Sequence, residues 1–342
     1  MRTFISPSAP SSPMAHQTRR SFPILPLFAA LLSVNMALPS QAQTAYVSSE
    51  KDHTLTVIDL KTQAVTGTVA TCKRPRHVQV TPDGKKLLVA CAESNAADVI
   101  DLATRKSVGR LAIGEDPEAF DLSPDGKTLY ISQEDDAALG FFDIASGKFT
   151  RTVEVGKEPE GVKASPDGKL VWVTSEVANM VHVVDAATGK VVKNIKVGKR
   201  PRRLALTPDG SQLWVTNEMS ASVSVVSTKD WSVTDTIRFE VKGARATDIT
   251  PVGITMTKDG KQAFVALGRA NHVAFVEVAT RKTTALALVG KRAWNVTLDK
   301  AEKQLLVVNG LSDDVTLVDV ASAKSIKSLP VGRVPYGAVI VE

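Results

Sequence analysis

From Ala45 onward the chain runs in short apolar bursts separated by polar turns, and no stretch shows strong helical periodicity. One unit shows the pattern. Pro159-Glu160-Gly161-Val162-Lys163-Ala164 predicts a first strand opened by proline. Pro166-Asp167-Gly168 predicts a tight turn, because proline presets φ and glycine accepts positive φ. Leu170-Val171-Trp172-Val173-Thr174, rich in β-branched and aromatic residues, predicts a second strand, and Met180-Val181-His182-Val183-Val184-Asp185 a third. After the turn Ala186-Ala187-Thr188-Gly189, residues 190–197 read as a fourth. Four short strands joined by tight turns make one antiparallel sheet.

The unit recurs. Thr81-Pro82-Asp83-Gly84, Ser123-Pro124-Asp125-Gly126, Ser165-Pro166-Asp167-Gly168 and Thr207-Pro208-Asp209-Gly210 each begin 42 residues after the one before. A fixed period of that size with four strands per copy is the dimension of a propeller blade. Second strands are found seven times, at Tyr46, Leu88, Tyr130, Trp172, Trp214, Phe264 and Leu306. The repeats begin on a second strand and end on an unpartnered first strand, Pro335-Tyr336-Gly337-Ala338-Val339-Ile340-Val341. The two ends are therefore expected to share one blade, a clasp that removes an open sheet edge. The expected fold is all-β: a seven-bladed β-propeller of four-stranded antiparallel blades, one domain over residues 43–342.

Residues 1–42 stand apart. Arg19-Arg20, an apolar stretch over residues 22–38 and Ser40-Gln41-Ala42 form an export signal cut after Ala42. The stretch is short for a membrane span and is broken by Pro23, Pro26 and Asn35. Thr18-Arg19-Arg20-Ser21-Phe22 also has the look of a twin-arginine signal, with the general export route the favoured one. Translation starts at Met1 or Met14. The expected location is the periplasm. The chain carries +6, and without Arg2, Arg19 and Arg20 it carries +3, a balance that does not point to nucleic acid. The only two cysteines, Cys72 and Cys91, could bridge in an oxidising compartment. Hairpin pairing around Pro82-Asp83 sets Cys91 nearer Arg76 than Cys72, so the bridge stays open. No C-x-x-C-H and no zinc-spaced Cys/His set is present, and no cofactor or metal is expected.

Residues that recur in every copy build the copy, so function is sought where copies differ. The two positions after each opening proline, which Ala293 replaces in the sixth case, vary most: Arg76-His77, Glu118-Ala119, Glu160-Gly161, Arg202-Arg203, Val252-Gly253, Trp294-Asn295 and Tyr336-Gly337. In a propeller these face the central channel, where variable loops converge on a rigid frame. Arg76, His77, Glu118, Glu160, Arg202, Arg203, Trp294, Asn295 and Tyr336 are the candidate ligand- or partner-binding residues, suited to a small anionic or zwitterionic ligand or a partner's tip. Their alternating signs also suit pairing among themselves. Glu50, Glu134, Glu176 and Glu218 recur after second strands and read as partners for neighbouring basic loops. Asp59, Asp101, Asp143, Asp185 and Asp319 read as turn caps. From Pro201 to Pro251 the spacing is 50, so eight extra residues enter near Arg238 and are expected at the channel mouth. No motif places a nucleophile or base, and no catalytic residue is assigned.

The repeat resembles the YVTN repeat, with Tyr130-Ile131-Ser132 and Trp214-Val215-Thr216-Asn217 at its named position. Over residues 45–342 the chain more closely resembles the β-propeller associated with PQQ-dependent catabolism. Pro75-Arg76-His77, Pro159-Glu160-Gly161, Pro251-Val252-Gly253 and Gly268-Arg269-Ala270-Asn271 carry that likeness. The resemblance implies a periplasmic, non-enzymatic binding or scaffold protein linked to alcohol oxidation. Its implied partners are a PQQ-dependent dehydrogenase, a cytochrome or a transport component. Propeller-type PQQ dehydrogenases have eight blades and a tryptophan where Lys193 stands, which argues against this chain holding the quinone itself. A monomer is expected. The alternative is a propeller enzyme, lactonase-like or cofactor-bearing, with its site at the same mouth.

Overall fold

Among residues 43–341, which the computed structural model describes, 28 strands form seven four-stranded antiparallel sheets. The leader and its export signal lie outside the described residues, as does Glu342. Blade one combines the chain's two ends: Pro335–Val341 pairs with Thr44–Ser49, followed by Thr54–Asp59 and Ala64–Ala70. Blades two to seven follow in sequence, their first strands being Pro75–Val80, Pro117–Leu122, Pro159–Ala164, Pro201–Leu206, Ile254–Met256 and Ala293–Leu298. First strands of successive blades touch in an unbroken ring, and the ring closes where blade seven meets blade one.

The hydrophobic core is a set of wedges, one between each pair of neighbouring blades. Second strands are buried on both faces, so alternate residues serve different wedges. Leu87 and Val89 pack against Tyr46, Leu55 and Val57 of blade one, while Leu88 and Ala90 pack against Phe120 and Ile131 of blade three. This is why second strands read as continuous apolar runs. Fourth strands form the exposed outer rim, as Ala64–Ala70 and Lys106–Leu111 show.

Local chemistry sets each turn. Asp83 Oδ1 accepts hydrogen bonds from the Thr81 hydroxyl at 2.6 Å and the Lys85 amide at 3.1 Å, with Gly84 at φ 68°. Blade seven keeps the shape after losing the motif: Glu302 takes the left-handed position at φ 57°, and Asp299 caps the Lys303 amide at 2.7 Å. The carboxylates of Asp59, Asp101, Asp143, Asp185 and Asp319 cap the second turn in the expected way. Blades are also stitched together. Thr174 accepts from the Gly161 amide at 2.8 Å and donates to the Arg202 carbonyl of the next blade at 3.0 Å, and Ser48, Ser132 and Thr216 repeat the clasp. A Cβ on Gly161 would stand 2.3 Å from the Arg202 carbonyl oxygen, so only glycine lets the two strands approach this closely.

Cys72 and Cys91 form a disulfide, buried between blades one and two, with Cα atoms 5.8 Å apart. The ladder pairs Cys91 with Pro75. Arg74, at φ 56°, turns the incoming chain so that Cys72 swings back onto Cys91, a reversal that strand pairing alone does not reveal. The bridge closes a loop of sequence separation 19 that carries Arg74 and Arg76. The double variant Cys72→Ala/Cys91→Ala is expected to lose about 3 kcal/mol of stability in urea unfolding. Titration of denatured protein should find no free thiol, and two free thiols would refute the bridge.

The extra residues between blades five and six pack inward. Phe239, Val241 and Ile249 enter the wedge containing Trp214, Val265 and Leu267. Arg245 pairs with Asp248 at 2.7 Å on the surface.

Candidate functional site

Most of the variable pairs sit at an irregularity in their strand. The ladder skips between Pro75 and Val78, Pro117 and Ala119, Pro159 and Val162, Pro201 and Leu204, and Ala293 and Asn295. Such bulges re-aim side chains. Here they allow both members of a pair to reach the channel, at different depths. The first members, Arg76, Glu118, Glu160, Arg202, Trp294 and Tyr336, line a mouth cavity of about 420 Å³. The second members His77, Arg203 and Asn295 line a separate inner cavity of about 270 Å³, with Gln79, Asp121 and Lys163. The expected single ring is thus two tiers, and the two cavities share no lining residue.

A buried ionic belt separates them. Arg76 pairs with Glu118 and lies 3.4 Å from Glu50. The Tyr336 hydroxyl donates to Glu118 at 3.1 Å and accepts from Arg203 Nη2 at 2.7 Å. Glu160 takes Arg203 Nη1 and Arg202 Nη1, each at 2.8 Å, and Arg202 also meets Glu176. Burial pushes the Glu160 carboxyl up, but Arg202, Arg203 and Arg76 outweigh it and hold the group below the usual carboxylate range. The same neighbours act on Arg203: burial opposes its charge, while Tyr336 and Glu160 restore it and raise its pKa. Burial and the nearby Arg203 depress the His77 pKa to about 4, leaving a neutral ring edge-on to Phe120 with Nε2 unpartnered.

Arg200 likewise meets Glu176 at 2.6 Å and Glu218 at 3.2 Å, and Arg74 meets Glu50 at 3.6 Å and Asp116 at 3.4 Å. So Glu50, Glu176 and Glu218 serve neighbouring basic loops. Glu134 departs from that pattern. Burial, Glu160 and Asp116 raise its pKa, and it joins no ion pair among the described residues. Two cations of the mouth are unmatched in the same sense. Arg292 lies over the Trp294 ring at 4.0 Å, and Arg269 is exposed at the lip. The Trp294 Nε1 donor has no partner. Glu134 belongs to blade three, and Arg269 and Arg292 to blades six and seven, across the ring.

Arg74, Asp116, Arg200 and Arg292 are mouth residues that the strand pattern missed. Each precedes the first strand and has a left-handed backbone, at φ 56°, 36°, 55° and 59°. That conformation is uncommon for residues with a Cβ. It ties the Arg74, Arg200 and Arg292 carbonyls to the amides of Ala92, Glu218 and Gly310 on the neighbouring loops. The available signal was register: one step before the proline, charged residues recur. None of the extra residues between blades five and six lines the mouth cavity, contrary to expectation. Asp116, Glu118 and Glu134 also bring carboxylate oxygens within 4.8 Å of one another.

Residues 186–329 match the family model described as lactonase, 7-bladed beta-propeller. No curated protein matches the sequence. Among solved structures, hydrazine synthase of Kuenenia stuttgartiensis is 25% identical over 81% of this chain and 92% of that one, with a TM-score of 0.73. A candidate 6-phosphogluconolactonase of Bacteroides uniformis is 14% identical over 88% of this chain and 100% of that one, at 0.74. A protein of unknown function from Desulfotomaculum acetoxidans is 16% identical over 87% and 99%, at 0.72. The chain is a seven-bladed β-propeller, and its residues 186–329 match the model of the seven-bladed lactonase propellers.

Proposed function

We propose that this chain is a non-enzymatic binding propeller whose channel mouth takes a small zwitterion. One observation carries the reading: the mouth's unmatched carboxylate, Glu134, stands across the ring from its unmatched guanidiniums, Arg269 and Arg292. A ligand carboxylate would meet Arg292 and Arg269, and a ligand ammonium would meet Glu134. The remaining charges neutralise one another and hold the frame. The cavity, about 420 Å³, lies within the range of small-molecule sites. Location in the periplasm rests on the export signal of residues 1–42, and service to PQQ-linked alcohol oxidation on the loop resemblance alone.

Titration calorimetry with ω-amino acids from glycine to 6-aminohexanoate tests the reading. One chain length should bind more tightly than acetate or methylammonium, and Arg292→Gln should weaken it about tenfold to a hundredfold. Equal, weak binding of all these probes would overturn the proposal. The pH dependence has a definite sign. Ammonium binding needs ionised Glu134, so affinity is full above the raised pKa and falls as pH drops through it, above the usual carboxylate range. The fold responds in the opposite way. A carboxyl whose folded pKa is raised destabilises the native state when ionised, so Glu134→Gln should raise the melting temperature near neutral pH, with the gain fading on acidification.

The family match and the Asp116, Glu118 and Glu134 cluster favour a second reading, a lactonase-like hydrolase. Against it, Glu118 is already held by Arg76 and Tyr336, which leaves two carboxylates for a metal. Calcium titration with a lactone hydrolysis assay separates the readings.

A further inference from the structure

The loop tip following each second strand occupies one equivalent position in every blade: Lys51, Glu93, Asp135, Val177, Met219, Arg269 and Leu311. Four are charged, as solvent-facing loop tips ordinarily are. Val177, Met219 and Leu311 are large and apolar, yet 56%, 63% and 60% exposed. Exposed apolar groups clustered on one face mark interaction sites. Each stands beside a lysine-bearing loop. The Met219 amide donates to the Lys199 carbonyl at 3.1 Å, and the Leu311 amide to the Lys291 carbonyl at 3.0 Å. Lys157, Lys199 and Lys291 are exposed, and none joins an ion pair among the described residues. Between blades four and five, Val177 and Met219 flank a cleft of about 280 Å³ bordered by Lys199. Glu158 also lines this cleft, and Glu176 there is already engaged by Arg200 and Arg202.

We propose that the rim of the mouth face between blades four and five docks an acidic protein segment that inserts an apolar side chain between Val177 and Met219. Charge complementarity selects the occupant: the exposed lysines attract acidic residues, and the apolar tips have no other use in water. The cleft shares Arg200 with the mouth cavity, but neither Val177 nor Met219 lines that cavity, and neither Arg269, Arg292 nor Glu134 lines the cleft.

The test uses the labelled peptide acetyl-Glu-Asp-Phe-Asp-Glu-amide and fluorescence anisotropy on the whole protein at low and high salt. Saturable binding that weakens with salt, falls tenfold or more when glycine replaces the phenylalanine, and falls similarly in Met219→Ser and Lys199→Glu supports the proposal. Both substitutions lie at exposed positions, so the fold should persist, and an unchanged melting temperature checks this. Arg292→Gln should leave peptide binding intact while weakening ω-amino-acid binding, so the two sites fail or succeed independently. No saturable binding, or equal binding by wild type and both rim variants, overturns the docking surface.

Discussion

Truncation of residues 335–342 is expected to abolish cooperative folding. The strand Pro335–Val341 is the innermost of blade one and enters two wedges at once. Val339 and Val341 pack towards blade two, Ala338 and Ile340 towards blade seven, and Tyr336 fills the channel. At about 1.5–3 kcal/mol for each fully buried large apolar side chain, and less for half-buried ones, the lost packing is on the order of 5 kcal/mol. That equals much of the 5–15 kcal/mol stability of an ordinary domain. The loss also uncovers Thr44–Ser49 as an unpaired edge beside an open ring, a template for association. Thermal melting by circular dichroism should become broad and non-cooperative, and gel filtration should show aggregates. Adding a synthetic peptide of residues 335–342 should restore part of the transition. A truncated chain melting as sharply as the full one, at the same temperature, would mean that the ring does not need its clasp.

The clasp was legible because the repeat has a phase: a chain that starts on a second strand and ends on a first can close only one way. Channel-facing positions were legible for the same reason, since the opening proline fixes them. Their depth was not. Glu160 and Gly161 are adjacent in sequence, yet a bulge assigns one to the mouth and its neighbour to the inner tier, and strand alternation does not foresee it. The disulfide depended on the left-handed turn at Arg74, a conformation that no arginine announces. The extra residues between blades five and six show how length misleads. Phe239, Val241 and Ile249 are an apolar set that belongs in a wedge, and their spacing carried more information than the insertion's position.

Glu160→Ala is expected to cost about 3–5 kcal/mol, because it removes one partner from a buried, hydrogen-bonded ion pair and leaves the charge on the other side. Glu160 and Arg202 are only 3% and 5% exposed, and the carboxylate serves two guanidiniums from the next blade. Without it, Arg202 retains Glu176 and, at 3.8 Å, Glu218, and Arg203 retains the Tyr336 hydroxyl, so each guanidinium loses one buried carboxylate partner. Arg245→Ala provides the contrast. Its pairing with Asp248 is geometrically as close, but Arg245 is 82% exposed, and solvent screening should leave the stability of the variant close to that of the wild type. The pH dependence follows from the depressed Glu160 pKa: its contribution is complete above the unfolded value and disappears as pH falls through the folded one. Glu160→Gln should therefore be closest to wild type in strong acid and furthest from it near neutral pH. Urea midpoints for the three variants across that range decide the matter. If Glu160→Ala and Arg245→Ala differ by less than about 1 kcal/mol at neutral pH, the belt does not hold the blades together, and the charges at the mouth are all available to a ligand.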